Sequence, residues 1–380
     1  MERTNPYLND IAYYLLLIFA VTLMISNALA EILAVVVLII WTAQTLAYRR
    51  REWLKYPLFW PLATLIIYKT IVLFVSGYQG RFGTAFEQIA LPLIYFMIPT
   101  IVVTSDRRRK VVWLFITGAV LAAGIGIIKY MLDVVPRASS IISGCNTLAI
   151  FLTIALAIIL PIFVYSKKLH EKIFLGLVSI PLFTGVISTL TRTAYFVVGL
   201  YVVILGIIKD RKLLIAIIVI ISAILVYSPS AFDDIQDRFD LSSKKQFLGN
   251  RIVLLELGLS MAKEVGFFGN GLNSFSALVD VQSEPGLTSK STITGWHNMY
   301  LDTLLDGGPF ALLILIWLLF IQVRYSLARF RKTKDNEQKI FQLGILLLML
   351  CIISVGFLDN ALSDQIISML IWMLLGLSII

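Results

Sequence analysis

The chain has 380 residues, 59% of them hydrophobic and only 14% charged, with a mean hydropathy of +0.89. That balance excludes a soluble domain, because apolar stretches of about 20 residues, each enough to cross a bilayer, recur from end to end. The net charge of +9 would suit nucleic acid, but the cations sit in short connections between apolar runs, so nucleic acid is not an expected partner.

In chain order the expected spans are 11–28, 30–48, 58–76, 87–104, 111–132, 147–165, 173–190, 193–208, 213–229, 309–323, 340–358 and 365–380, an all-α polytopic membrane protein of about twelve transmembrane helices. The first run carries no small-residue cleavage site and is followed by others, so it reads as a span and not as a removable signal. The connections "YRRREWLKYP", "SDRRRK", "SKKLHEK", "KDRK" and "RFRKTKDNEQK" are basic, and the intervening ones mostly are not. The positive-inside rule then sets the basic loops and both termini in the cytoplasm.

Three segments fall on the opposite, periplasmic side: "DVVPRASSIISGCN" (133–146), the turn in "STLTRTAYF", and a long stretch over 230–308. The organisation is therefore 1–229 with helices one to nine, 230–308 as one long external loop, and 309–380 with the last three helices. Loops longer than about 15 residues are usually functional or disordered, and this one has the composition of ordered chain. Asn250 can cap a helix starting at Arg251, and Gly266 can end it. Ile252, Leu255, Leu259 and Ala262 share a face at helical spacing, which predicts an amphipathic helix on the membrane surface.

Only two histidines exist. His170 lies in a basic loop and reads as a solvated residue. His297 sits in "TGWHNMYLDTLLDGG" at the mouth of a span, on a stretch predicted to be helical, where Tyr300, Leu301 and Leu304 would share its face. An imidazole there suits a general base; an anchor among interfacial aromatics is the equal alternative. Arg192, pinned in a tight turn, Arg251, at a helix start, and Arg137, from the other external loop, are cations on the disfavoured side, and guanidinium pairs bidentately with phosphate. Arg81 and Arg238 read as lipid contacts. Lys69 and Lys129 fall within spans, where a cation is costly and tends to be functional, or else snorkels. The loop carboxylates Asp233, Asp234, Asp237, Asp240, Asp280 and Glu284 read as a solvated acidic stretch, with a divalent-metal site at Asp233 and Asp234, next to the outer end of a span, as the lesser alternative. Cys145 and Cys351 imply no disulfide framework. No metal-binding motif, cofactor motif or P-loop is present.

Taken together, "STLTRTAYFVVGL", "LGNRIVLLELGLSMAKEVGFFGNGLNSF" and "WHNMYLDTLLDGGPFALLIL" resemble the O-antigen ligase and O-antigen polymerase superfamily of membrane glycosyltransferases, over roughly residues 137–320, with "VPRASSIISGCNTLAIFL" as a weaker echo. The resemblance implies a GT-C-like, inverting, metal-independent enzyme of the bacterial inner membrane, with its active site on the periplasmic face and no cofactor. Its implied donor is an undecaprenyl-diphosphate-linked glycan, and its acceptor a lipid A-core sugar or another glycan, with membrane lipids around them. Carried over, Arg192 and Arg251 would hold the diphosphate and His297 would deprotonate the acceptor hydroxyl. Arg137, Lys69, Lys129, Asn298 and Tyr300 are secondary candidates for substrate contact. The chain departs from the pattern at Gly269-Asn270-Gly271, Trp296 and Pro309. Of the two branches, the ligase matches slightly better and the polymerase is the alternative. A lipid or solute transporter is the reading from another class, and the absence of internal symmetry speaks against it.

Overall fold

The computed structural model describes residues 5–76, 88–209, 215, 250–284, 287, 293 and 295–380. Its helices are α1 (Pro6–Thr22), α2 (Asn27–Ala47), α3 (Phe59–Val75), α4 (Ile94–Ile101), α5 (Ser105–Met131), α6 (Cys145–Tyr165), α7 (Leu169–Ser188), α8 (Arg192–Ile208), α9 (Asn250–Met261), the short α10 (Phe275–Leu278), α11 (Met299–Lys332), α12 (Asn336–Gly356) and α13 (Gln365–Leu377). Six of them, α2, α5, α6, α7, α11 and α12, are long and apolar enough to cross a membrane. Shorter apolar helices are α1, α3, Gln88–Ile101 (which contains α4), α8 and α13. The described residues thus form an all-helical polytopic membrane protein, and each expected span outside 213–229 coincides with one of these helices. The 213–229 span, apart from residue 215, and all of 230–249 lie outside the described residues.

Side-chain contacts sort the connections to two ends of the bundle. At one end Arg107 pairs with Asp10 at 2.5 Å, Arg108 reaches Glu337 at 3.4 Å, and Arg329 donates to the Ser378 carbonyl at 3.1 Å. The basic segments "SDRRRK" and "RFRKTKDNEQK" therefore meet at this end. At the other end Ala138 N–H donates to the Ser188 carbonyl at 2.8 Å, and Thr147 donates to Asp364 at 2.6 Å. Asp364 also caps α13, accepting from Ile366 N and Ile367 N, which satisfies two of the orphan amides of a helix start.

Within the bundle, small residues let the helices approach closely, as expected where lipid removes the hydrophobic drive for association. A Cβ on Gly344 of α12 would stand 3.2 Å from the Ala157 carbonyl of α6, and one on Gly356 would stand 2.7 Å from the Met299 Cε of α11. The helix α6 is buried along almost its whole length and forms the centre of the core.

Two expectations need correction. The span expected at 309–323 is the middle of a 34-residue helix, α11, interrupted only by a kink at Gly308. A hydropathy window stops at Asp306 and at Arg324, whereas the backbone continues through both. In α9 the helix ends at Met261 instead of running to Gly266, while the face expected against the membrane is left open and the opposite side packs on protein. Leu254 and Gly258 are buried, with Leu257 and Met261 beside them, while Leu255 and Leu259 are exposed. The reason is Gly258: its missing side chain admits Leu301 and Trp296, to which a Cβ would come within 2.3 and 3.0 Å.

Candidate functional site

The frame of the site is the junction between the turn after α9 and the kink of α11. Gly269 and Gly308 both have left-handed φ, +71° and +73°, and the two backbones touch there. A Cβ at Gly308 would lie 2.1 Å from the Phe267 carbonyl, and one at Gly269 would lie 2.4 Å from that of Asp306. Only glycine fits either position. The carbonyls freed by the kink are taken up by the turn: Asn270 N–H donates to Leu305 O at 2.8 Å and Gly271 N–H to Asp306 O at 3.1 Å. The Asp306 carboxylate accepts from Asn273 N, Ser274 N and Ser274 Oγ at 2.7–2.9 Å. From α3, the Tyr68 hydroxyl shares its proton between the Phe267 and Gly307 carbonyls, at 2.9 and 2.8 Å.

His297 stands immediately before α11 and not on it, which corrects the expectation of a shared helical face with Tyr300, Leu301 and Leu304. Its φ of +50° is uncommon outside glycine and costs on the order of 1–3 kcal/mol. The next residue explains the break. Asn298 caps α11, its Oδ1 accepting from Tyr300 N at 3.0 Å and Leu301 N at 2.9 Å while its amide donates to the Phe357 carbonyl at 3.2 Å. Tyr300 donates to the Ile353 carbonyl at 3.0 Å. Asn298 and Tyr300 therefore tie α11 to α12 and fix the height of His297.

Asp359, on the connection from α12 to α13, meets His297 at Nδ1 with 3.4 Å to Oδ1. Burial alone would raise the Asp359 carboxyl. The hydrogen bond and charge of His297, helped by the Arg251 guanidinium, outweigh it and hold the pKa below the ordinary value. Arg251, at the start of α9, thus acts electrostatically on the carboxylate that His297 bonds.

A cavity of about 180 Å³ opens beside His297, lined also by Lys69 and Gln88, by Asp302, Thr303 and Asp306 of α11, and by Asp359, Asn360 and Ser363. Asn360 donates from its amide to Asp302. Lys69, on α3, faces Asp306 and Asp302 closely enough to interact with both charges. Among the described residues no group of three or more His, Cys, Asp and Glu side chains is arranged to hold a metal ion.

The remaining candidates divide. Arg192 begins α8 at the same end of the bundle, half-buried, two residues after Leu190, whose φ is +50°. Tyr201 of α8 and Cys351 of α12 are both buried and lie near each other. The two helices run antiparallel, so nine residues back along α8, roughly 13 Å, Arg192 stands at the level of Phe357 to Asn360. Arg137 is drawn into the turn itself: it donates to the Thr189 carbonyl at 2.8 Å, to Thr191 Oγ1 at 3.0 Å and to Asn146 at 3.3 Å. Lys129 donates to Ser139 Oγ at 3.0 Å and to the Ser140 carbonyl at 2.9 Å, so both cations hold the 133–146 loop. His170 is exposed, as expected. Arg81, Arg238, Asp233, Asp234, Asp237 and Asp240 lie outside the described residues.

Asp302, Asp306, Asp359 and Asn360 were not singled out from the sequence, yet they line the cavity. A signal existed: carboxyl groups spaced four apart in the otherwise apolar run "YLDTLLDGG" sit where a charge needs a reason. Asp359 gave none, being one acid in a short connection 62 residues beyond His297.

Residues 177–316, from within α7 to the middle of α11, match a family model described as O-Antigen ligase. Over these residues, less than half of the chain, the protein is thus similar to the O-antigen ligase family. The match contains Arg192, Arg251 and His297, but neither Asp359 nor Lys69. No curated protein matches the chain.

Proposed function

We propose, from the O-antigen ligase match and the geometry around His297, that this chain is a glycosyltransferase of the bacterial inner membrane. Its donor is a glycan on undecaprenyl diphosphate, and its acceptor is a lipid A-core sugar hydroxyl. The observation that carries the reading is the His297–Asp359 contact at 3.4 Å, beside a cavity and within the field of Arg251. Asp359 accepts the Nδ1 proton, which leaves the Nε2 lone pair free to take a proton from the acceptor. A carboxylate that orients an imidazole in this way also stabilises the imidazolium that forms.

In the proposed step the acceptor hydroxyl loses its proton to His297 Nε2 and its oxygen attacks the anomeric carbon. The bond from that carbon to the diphosphate oxygen breaks, and the electron pair leaves with undecaprenyl diphosphate. Arg192 and Arg251 neutralise the charge that grows on the leaving group, as fixed guanidinium groups do best in a partly dry site. Attack from the face opposite the leaving group inverts the anomeric centre. The basic end of the bundle faces the cytoplasm in this reading, with both termini there, and the His297 end faces the periplasm. In this reading the described part of the external loop, with α9 and the turn after it, covers the site between the helices that precede it and those that follow it.

The test uses the purified protein in nanodiscs, with lipid-linked glycan and core lipid extracted from the source cells. Release of undecaprenyl diphosphate together with glycosylated core lipid is the expected result. Product only when a second lipid-linked repeat unit is the acceptor would assign the polymerase instead. Translocation of glycan across vesicles with no covalent product would make the protein a transporter.

A further inference from the structure

The cavity beside His297 carries an unusual set of groups for a protein that handles diphosphate. Its lining includes three carboxyl side chains, Asp302, Asp306 and Asp359, and a single lysine. Neither Arg192 nor Arg251 lines it. A diphosphate placed inside would meet carboxyl oxygens on several sides, so the cavity is electrostatically wrong for the donor's anion.

It is well suited to hydroxyl groups. Lys69 makes no hydrogen bond to the described residues and presents ammonium donors to the cavity. Asp302 is held from the side by the Asn360 amide and still has acceptor capacity to spare. Asn360 is itself fixed, its Oδ1 accepting from Leu362 N at 3.2 Å and Ser363 N at 3.1 Å. Thr303 uses its proton on the Met299 carbonyl at 2.7 Å, which leaves its oxygen to accept. A donor and an acceptor side by side match the neighbouring hydroxyls of a sugar ring, each of which donates one hydrogen bond and accepts another. About 180 Å³ has room for on the order of ten water molecules, a scale set by a ring and not by a lone ion. A smaller recess of about 60 Å³ continues past Lys69 between α3, the stretch with Gln88 and Pro92 that leads into α4, and α13, with Gln365 and Ser368 in its wall.

We infer that this cavity is the acceptor subsite, in which Asp302 and Lys69 hold the hydroxyls of an uncharged sugar with its reacting oxygen at His297, while the donor's diphosphate stays at the rim with Arg192 and Arg251. The inference rests on the transferase reading and adds the division of the site. The recess past Lys69 takes a ring substituent or a branching sugar of that acceptor.

The experiment measures KM for donor and acceptor separately in nanodiscs, with the lipid-linked glycan and core lipid, or second lipid-linked unit, extracted from the source cells. Asp302→Asn and Lys69→Gln are expected to raise the acceptor KM about tenfold and to leave the donor KM within twofold. Gln88→Ala changes a side chain on another part of the wall and carries the test if either charged variant fails to fold; a threefold rise in acceptor KM is expected. A raised donor KM with unchanged acceptor KM overturns the inference, as does a fall in kcat alone. Absence of any transfer by the wild-type protein strikes the transferase reading instead, so the two failures are distinct.

Discussion

His297 and Asp359 face each other at 3.4 Å although one precedes α11 and the other follows α12. Two antiparallel helices, packed closely because Gly356 admits Met299, bring the ends of a 62-residue stretch together. The imidazole then has one nitrogen committed to a carboxylate and one left for chemistry.

Asp359→Asn tests that division. The amide keeps the shape but can hold the imidazole in the wrong tautomer. Transfer should fall by about 10³- to 10⁴-fold, with donor KM little changed. Steady-state release of polyprenyl diphosphate measures it, and activity within fivefold of wild type would remove Asp359 from the mechanism.

The same carboxyl sets a pH dependence. Its folded pKa is below the ordinary value, near 3.9 for aspartate. The stabilisation it supplies is therefore complete above about pH 4 and disappears as pH falls through the folded value. Melting temperatures of wild type and Asp359→Asn in detergent should differ at pH 6 and converge toward pH 3. A gap that widens on acidification contradicts the sign.

Arg251→Lys keeps the charge but loses the flat two-pronged donor set. Donor KM should rise about tenfold, and Arg251→Ala should raise it further, with acceptor KM unaffected. Competition by inorganic pyrophosphate gives an independent reading, since its inhibition should weaken in parallel.

Gly308→Ala addresses the kink. The left-handed φ and the 2.1 Å approach of the Phe267 carbonyl leave no place for a methyl group. The backbone term alone is about 1–3 kcal/mol. Lower folded yield and a lower melting temperature are expected, measured by fluorescence-detected chromatography after heating. Gly124→Ala, where a Cβ meets nothing within 4 Å, should leave both unchanged.

Arg137→Ala should behave as a fold mutant. Its guanidinium holds the Thr189 carbonyl, Thr191 and Asn146, so its loss loosens the turn before Arg192. Melting temperature and kcat should fall together, and donor KM should rise less than in Arg251→Ala.

Hydropathy and charge alternation carried the helical bundle, because a bilayer demands long apolar runs and the basic loops mark one end. His297 stood out because an imidazole among Trp, Asn and Tyr at a span mouth is rare in such a composition. Its helical placement failed because Asn298 takes the cap, and a cap one residue away is decided by backbone geometry. The protein-facing side of α9 was not legible for another reason: Leu254, Leu255, Leu257 and Leu259 are apolar on several sides, so periodicity marked the side with Leu255 and Leu259 for the membrane and left Leu254 and Gly258 unassigned. Asp302 and Asn360 were invisible as a pair, since their meeting depends on how α12 returns to α11.

The kink in α11 has a consequence for depth. From Pro309 to Lys332 the helix rises roughly 36 Å, already more than the ~30 Å hydrocarbon core. The nine residues from Met299 to Gly307 add about 13 Å beyond it, so His297 rides in the headgroup layer. A lipid-borne diphosphate already resides at that height. On the proposed function, the carrier neither sinks into oil nor is hoisted into water, and only its sugar has to swing toward the imidazole.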